Sequence, residues 1–487
     1  VIILYREPED TAQRKFSIKT FLDDFFYISE RKSSFKTEII AGLTTFMTMA
    51  YIIVVNPLIL SQAGMDYKAV FVATCLAAAF STFLMGIVAK KPFGMAAGLG
   101  LNSIVAFGII MGMNQSWQIA MGLVFIEGLC VFLLVLTNLR EMVMHAIPHS
   151  LKMAIGVGIG MFISFIGFKL ANIMVSNPAN FIGFGNVSNP VFIVSVIGIM
   201  IIMILMALKV KGSIFYGIFL TSILAIIACT VADTAHISFN IFGNPNLPST
   251  IAALPAGASN LPSGWSGNFI ELPSAQTIYT VGGLDIVGAL SLSFIPIIFA
   301  LMMVDFFDSL GTVMAVGTQA GLVDNEGKLL RIKQVLAVDA LGAMIGGFMG
   351  SSSNTAYVES SAGVSEGGRT GLTSVIVAGL FLIGMLFVPL AYFIPSAATA
   401  PALIIVGFFM ISMINRIEWE NFEEALPAFL TIIAMTFTFS ISKGIGFGFI
   451  SYCIIKTVTG KWRELHPIMW VVSGIFVLYF IFVANML

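Results

Sequence analysis

Apolar runs long enough to cross a bilayer alternate with short polar connections along almost the whole chain. A helix needs about 20 apolar residues to span the hydrocarbon core. Such runs lie near residues 38–60, 69–89, 100–112, 118–137, 150–171, 190–208 and 212–231. A stretch rich in Pro, Gly and Asn follows, at about 232–284. A second set occupies 286–320, 334–350, 360–368, 372–394, 399–414, 425–442, 444–458 and 467–486. The pattern predicts seven elements, a linker, and seven or eight more. Two of them, 100–112 and 360–368, are too short to span alone. Each follows an extended lead rich in Gly, Ser and Ala.

Composition places this pattern in a membrane. Apolar residues make up 58% of the chain and charged residues 10%, with a mean hydropathy of +0.98. A soluble domain is nearer half apolar and about a quarter charged. The net charge of -1 gives no reason to expect a nucleic-acid partner. Cys75, Cys130, Cys229 and Cys453 lie in apolar runs without CxxC spacing, and read as small core hydrophobes. His145, His149, His236 and His466 are scattered, so no metal site or cofactor is expected. The first thirty residues are charged and mixed, with no cleavable signal pattern.

Lys and Arg set the orientation, because cytoplasmic connections are enriched in them. Arg31, Lys32 and Lys36 precede the first run, and every second connection after it is basic. These carry Lys90 and Lys91, Arg140, Lys209 and Lys211, Lys328 with Arg331 and Lys333, Arg369, Arg416, then Lys456 with Lys461 and Arg463. The linker has no Lys or Arg. The N-terminus is therefore expected in the cytoplasm and the linker outside. In "FSIKTFLDDFFYIS", Phe16, Ile18, Phe21, Leu22, Phe25 and Phe26 recur mostly at helical spacing. They predict an amphipathic helix that either lies on the inner leaflet or packs on the protein. The final run either spans or stays at one face.

An odd number of spans per half forces two repeats into opposite orientations. The third element of each half is then the unusual one. One reads "KPFGMAAGLGLNSIVAFG" and the other "SSSNTAYVESSAGVSEGGRTG". Non-helical backbone cannot face lipid, since each unpaired N–H or C=O costs several kcal/mol there. Matched breaks of this kind point to a transporter's substrate site. Small residues could also serve only close packing. Two matched breaks, each with a polar side chain (Asn102, Glu359), favour the site. Each is an extended small-residue stretch that runs into a short helix, in the second case Asn354 to Glu359 and then Ser360 onward.

The first helix of the second half carries Asp305 and Asp308 near its middle. Three residues apart, they share one helix face. Aspartate at the bilayer centre costs roughly 2.5–3.5 kcal/mol on insertion scales, and usually marks a substrate or proton path. If Asp305, Asp308 and Glu359 met in one dry cavity, they could not all stay ionised, and one could carry a proton. Carboxylates accept hydrogen bonds and repel anions, so a neutral or cationic solute rich in N–H groups is expected. Phe306, Phe307 and Tyr357 could supply flat surface for an aromatic ring, although with 43 Phe simple packing explains any one of them.

Four stretches in order carry a family resemblance: "GLTTFMTMAYIIVVNP" (Gly42 to Pro57), "FGMAAGLGLN" (Phe93 to Asn102), "DFFDSLGT" (Asp305 to Thr312) and "AYVESSAGVSEGGRTGLT" (Ala356 to Thr373). From about residue 31 onward the chain resembles the adenine/guanine/hypoxanthine permeases, the purine branch of the nucleobase–cation symporters with the uracil permease fold. The serine-rich lead before Asn354 and the long linker depart from the pattern. The resemblance implies an all-α polytopic membrane protein of fourteen transmembrane segments in two inverted sevens. These divide into core and gate domains, with segments 3 and 10 each a short strand plus a half-helix. It implies proton-coupled import of purine bases across the cell membrane. Substrate would bind Asn102, Asp305, Asp308 and Glu359, with Thr44 and Thr45 lining the site. Proton-coupling candidates are Asp305, Asp308 and Glu359.

The expected organisation is a cytoplasmic segment with the amphipathic helix (1–37), a first repeat (38–231), an external linker (232–285), a second repeat (286–458) and a C-terminal hydrophobic segment (459–487). Sodium coupling and an anion exchanger or sulfate-type carrier of the same fold are the alternatives. The three carboxylates argue against the anion carrier. A membrane enzyme would need a nucleophile–base pair or a metal-ligand set, and the sequence supplies neither. A homodimer is compatible with the sequence.

Overall fold

The computed structural model describes residues 18–137, 147–234, 283–323, 329–388 and 393–482. Most of the linker, Phe16 and the end of the chain lie outside this set. Among the described residues, nine helices are long and apolar enough to cross a membrane, and four shorter apolar helices accompany them.

The first half contains α1 (Ile18–Phe26), α2 (Phe35–Met49), α3 (Ile52–Gln62) and α4 (Tyr67–Leu84), which continues as a π-helix over Met85–Ala89. Then come β1 (Met95–Ala97) and α5 (Leu99–Ser103), which runs on as a π-helix over Ile104–Met111. It ends with α6 (Trp117–Leu136), α7 (His149–Leu170), a hairpin of β2 (Met174–Asn177) and β3 (Phe181–Phe184), α8 (Pro190–Ala207) and α9 (Ser213–Thr234). The second half contains α10 (Ile295–Gln319), α11 (Ile332–Met349), β4 (Asn354–Ala356), α12 (Ser360–Ser365) and α13 (Gly371–Gly384). It continues with α14 (Ser396–Ile411), α15 (Phe422–Phe437), α16 (Ile441–Val458) and α17 (Pro467–Phe482).

Local chemistry starts many of these helices. Asp66 caps α4 by accepting the Ala69 N–H at 2.7 Å, and Asn189 caps α8 by accepting that of Val191 at 2.8 Å. Each satisfies a first-turn donor that hydrocarbon would leave unpaired. The first apolar run spans Phe35–Gln62 but changes its bonding midway. It breaks at Ala50 and Tyr51, where shorter bonds such as Ile53 N–H to Ala50 C=O at 3.2 Å replace the α pattern. The hairpin at 174–184 was not anticipated. It pairs Met174 with Phe184 and Asn177 with Phe181.

The helices form two packing groups. In one, α4 packs on α3, α11 and α13, while α11 packs on α6 and α13 on α2. In the other, α7 packs on α14 and α15, α14 on α8 and α9, and α15 on α16. Within the first group β1 and β4 cross as an antiparallel pair, with Met95 opposite Ala356, Ala96 opposite Thr355 and Ala97 opposite Asn354. Both strands are wholly buried. Their backbone groups are therefore satisfied from all sides, as burial requires. Thr82 Oγ1 accepts the Met95 N–H at 2.8 Å, Asp339 Oδ1 that of Ala356 at 3.1 Å, and Ser360 Oγ that of Gly94 at 2.9 Å.

Close approach of α11 to the β4 lead depends on Gly346. A Cβ there would overlap the Ser352 carbonyl oxygen and come within 3.1 Å of the Asn354 nitrogen. Backbone on both sides leaves little room to relax. Gly346→Ala is expected to destabilise the protein by about 1–3 kcal/mol, the usual cost of overpacking. Thermal unfolding in detergent checks this, and an unchanged midpoint would show that the lead is free to shift.

The amphipathic helix is present from Ile18 and packs on the protein. Phe26 and Ile28 are buried with Leu372 against Val375 and Ile376, while Phe21 is 54% exposed. The final apolar run is helical and buries Met469, Val472, Phe476 and Tyr479.

Candidate functional site

The strand pair organises the site. β1 leads into α5 and β4 leads toward α12, so two half-helices start at a three-residue ladder and run away from it. Three residues of strand span roughly 10 Å. Glu359 occupies the position before α12. Its Oε1 accepts the Tyr51 hydroxyl at 2.7 Å, and its carbonyl accepts Thr48 Oγ1 at 3.3 Å. The break between α2 and α3 is what brings Tyr51 there. The Tyr357 ring is buried, and its hydroxyl donates to the Ala97 carbonyl at 2.5 Å, tying the two strands together from the side.

On α10 the two aspartates part company. Asp305 is fully buried, and its Oδ1 accepts Ser353 Oγ at 3.2 Å, in the lead of β4. Asp308 is exposed, although it lies deep in the bundle. Thr355, Glu359 and Asp339 are its electrostatic neighbours. From Asp308 an exposed face continues along α10 through Gly311, Ala315, Thr318 and Gln319. At its end Gln319 donates to the Oγ of Ser365, on α12, at 2.9 Å. A stripe of open, partly polar surface thus links Asp308 to the C-terminal end of α10. Toward the N-terminal side, Val304 and Leu301 of α10, Leu101 and Asn102 of α5, and Ile104 of its π-helical continuation are buried.

Asn102 is 0% exposed, and neither its amide oxygen nor its nitrogen has a hydrogen-bond partner among the described residues. The hydroxyls of Thr45 and Ser309 are also buried without one. Buried polar atoms are normally paired, and leaving one unmade costs about 1–3 kcal/mol. Atoms left unpaired in this way are candidates for bonding to a polar ligand. Thr45 lies against Gly363 of α12, where any Cβ would meet its hydroxyl. Thr44 offers its carbonyl to Thr48 Oγ1 at 3.1 Å, and no recorded contact joins it to the carboxylates.

The sequence singled out Glu359, Asp308, Asp305 and Asn102 but missed four residues that the structure adds. Asp339 was visible as a lone carboxylate in an apolar run. Tyr51, Thr48 and Ser353 gave no signal, because ordinary residues become site residues only through the crossing. The carboxylates gather more loosely than a single-point cluster: among the described residues no group of three His, Cys, Asp or Glu could hold a metal ion. Phe306 is fully buried, and the Phe307 side chain lies outside the described residues. A separate apolar cavity of about 400 Å³, walled by Phe46, Phe71, Phe215 and Phe387, shares Tyr51 with the site but none of its carboxylates.

A many-spanning helical bundle with a polar site at two broken helices defines a membrane transporter. The comparisons with known proteins agree. A family model described as "Permease family" matches residues 36–447, and the chain belongs to this permease family. It is therefore a transporter and not an enzyme. Adenine permease AdeP of Escherichia coli is 39% identical over 462 residues, covering 95% of this chain and 96% of that one. Guanine/hypoxanthine permease PbuG of Bacillus subtilis is 40% identical over 468 residues, covering 94% and 99%. The transmembrane domain of a cyanobacterial bicarbonate transporter, BicA, superposes with a TM-score of 0.55 at 16% identity, covering 84% of this chain and 96% of that one. SLC26A9 superposes at 0.58 with 11% identity, covering 93% and 73%. Likeness at that identity shows a shared fold only.

Proposed function

We propose that this protein imports purine nucleobases across the cell membrane by proton symport, with the N-terminus in the cytoplasm. Two observations carry it: an acceptor-only carboxylate, Glu359 held by Tyr51 at the start of one half-helix, and the buried, unpartnered amide of Asn102 in the other. A purine base presents N–H donors and ring or carbonyl acceptors in one plane. Glu359 accepts the donors, and the Asn102 amide can do both. Relatives named adenine and guanine/hypoxanthine permeases at about 40% identity support the same substrate class.

The antiparallel β1–β4 pair supports two inverted sets of seven segments, fourteen in all, since copies related by a two-fold axis bring matching strands together in opposite directions. The two packing groups support a core domain that carries the site and a gate domain that it moves against. In this orientation the exposed stripe from Asp308 leads to the cytoplasm, which is the inward-open side of an alternating-access cycle. Asp308 is the proton carrier we favour over sodium coupling, because Asp339 and Glu359 are its electrostatic neighbours and its side chain opens on the exposed stripe. Protonation removes a charge that is expensive to move through the membrane.

Uptake of radiolabelled hypoxanthine into proteoliposomes tests this, with adenine, guanine, xanthine and uracil as competitors. An inward pH gradient alone should concentrate the base, and a protonophore should abolish the effect. Accumulation that needs a sodium gradient and survives the protonophore would replace the proton with sodium. Uracil competing better than any purine would overturn the substrate class.

Tyr51→Phe removes one hydrogen bond to the Glu359 carboxylate. Bonds to charged groups contribute about 1.5–3 kcal/mol when buried, and this one is only half-buried, so a loss of affinity of up to about tenfold is expected. Equilibrium hypoxanthine binding measures it. Wild-type affinity would remove Tyr51 from the site.

A further inference from the structure

At the end of the bundle opposite the exposed stripe, three phenylalanines meet around Phe439. Its ring centroid lies 5.8 Å from that of Phe107, 5.0 Å from Phe162 and 5.8 Å from Phe165. Phe107 belongs to the half-helix after β1, while Phe162 and Phe165 belong to α7. The cluster therefore bridges the two packing groups, with Phe107 five residues beyond Asn102 along the same half-helix. Phe439 itself stands in the short link between α15 and α16, in a left-handed backbone conformation with φ 51° that is uncommon for a non-glycine residue.

Beyond this cluster is a cavity of about 590 Å³, bordered by Phe165, Phe439, Lys169, Asn172, Ser176 and Ser396. It is the opposite of the apolar cavity near Tyr51, because aromatic rings and polar side chains share its wall. The Lys169 ammonium sits 5.5 Å from the Phe439 ring centroid. Among the described residues no carboxylate pairs with it. The cavity thus offers a ring face, a cation and an amide, with no acid to accept an N–H.

We propose that this cavity is an outer docking subsite for the planar heteroaromatic base, and that the Phe107–Phe439–Phe162 contact is the closed outer gate beneath it. The inference rests on the reading of the protein as a purine importer. Base rings stack on aromatic side chains whatever their substituents. The ring nitrogens and carbonyl oxygen accept from Lys169 and Asn172. A base held here waits outside the cluster while the central site is open to the other side. When Phe107 withdraws with the half-helix, the base is passed to Asn102 and Glu359. The two sites read complementary halves of the ligand: acceptors at the outer one, N–H donors at Glu359.

The test uses Ser176→Cys in the full-length protein in intact cells. Ser176 is exposed on β2 and borders the cavity. Labelling of the new thiol by a membrane-impermeant maleimide is timed with and without hypoxanthine or adenine, and the unaltered protein gives the blank. Purine should slow labelling several-fold. The protection should persist in Ser176→Cys/Glu359→Gln, where the central site is disabled, and should be lost in Ser176→Cys/Lys169→Gln and in Ser176→Cys/Phe439→Leu. Protection that disappears with Glu359→Gln would show that the thiol reports closure around the central site, and would overturn the subsite. So would labelling that purines never slow in a protein that still takes them up. Purine uptake by the unaltered protein is measured alongside, and its absence would instead overturn the transport reading.

Discussion

Glu359→Gln is expected to remove most purine uptake while leaving the protein folded in the membrane. The carboxylate accepts the Tyr51 hydroxyl at 2.7 Å, which holds it at the start of the half-helix. A bond from a ligand N–H to a charged acceptor contributes about 1.5–3 kcal/mol, so losing one or two lowers affinity by tenfold or more. Glutamine is nearly isosteric, yet one of its two ends becomes a donor. It either turns that NH₂ toward the base, opposing the ligand's own N–H, or turns it toward Tyr51 and alters the anchor. Equilibrium binding separates the loss of affinity from a loss of transport. Wild-type affinity in the mutant would dismiss Glu359 as a binding residue. The Tyr51→Phe result should be smaller, since it weakens the anchor and leaves the acceptor.

Asp305→Asn and Asp308→Asn are expected to fail in different ways. Asp305 is buried and accepts Ser353 Oγ at 3.2 Å, so it holds the lead of β4 against α10. Exchanging a buried acceptor for an amide costs about 1–3 kcal/mol where a partner is lost. The expected phenotype is lower thermal stability and weaker binding together. Asp308 faces the open stripe beside Thr355. Asparagine there cannot take up or release a proton. Binding should survive better than accumulation, so the mutant should equilibrate hypoxanthine across the membrane without concentrating it when a pH gradient is applied. If both variants bind and accumulate normally, α10 is not part of the site. If Asp308→Asn still concentrates substrate on a pH gradient, the proton travels on another group.

The membrane setting, the order of the apolar helices and the two short elements at 100–112 and 360–368 were legible in the chain. Each depends on local quantities: hydropathy over a span, the length of a run, the presence of Gly and Ser where hydrocarbon would ordinarily demand a helix. Glu359, Asp305, Asp308 and Asn102 stood out for the same reason, because a polar side chain in an apolar run is costly wherever the fold places it. Resemblance through four motifs added the family, which the relatives then showed.

The break at Ala50 and Tyr51 and the hairpin at 174–184 were not legible, because neither interrupts its local pattern strongly. The partners of the carboxylates were hidden for a deeper reason. Tyr51 and Glu359 are separated by 308 positions, and Phe107 and Phe439 by more. Nothing near either residue encodes the pairing. The sequence by itself determined that non-helical backbone must be buried at two points in a membrane bundle, because unpaired amides cannot face lipid. Only the tertiary structure decided that the two points satisfy each other as one crossed strand pair. That crossing turns Asp305 inward to hold a backbone lead and leaves Asp308 facing open space, since side chains on one helix face part company when different neighbours pack against them.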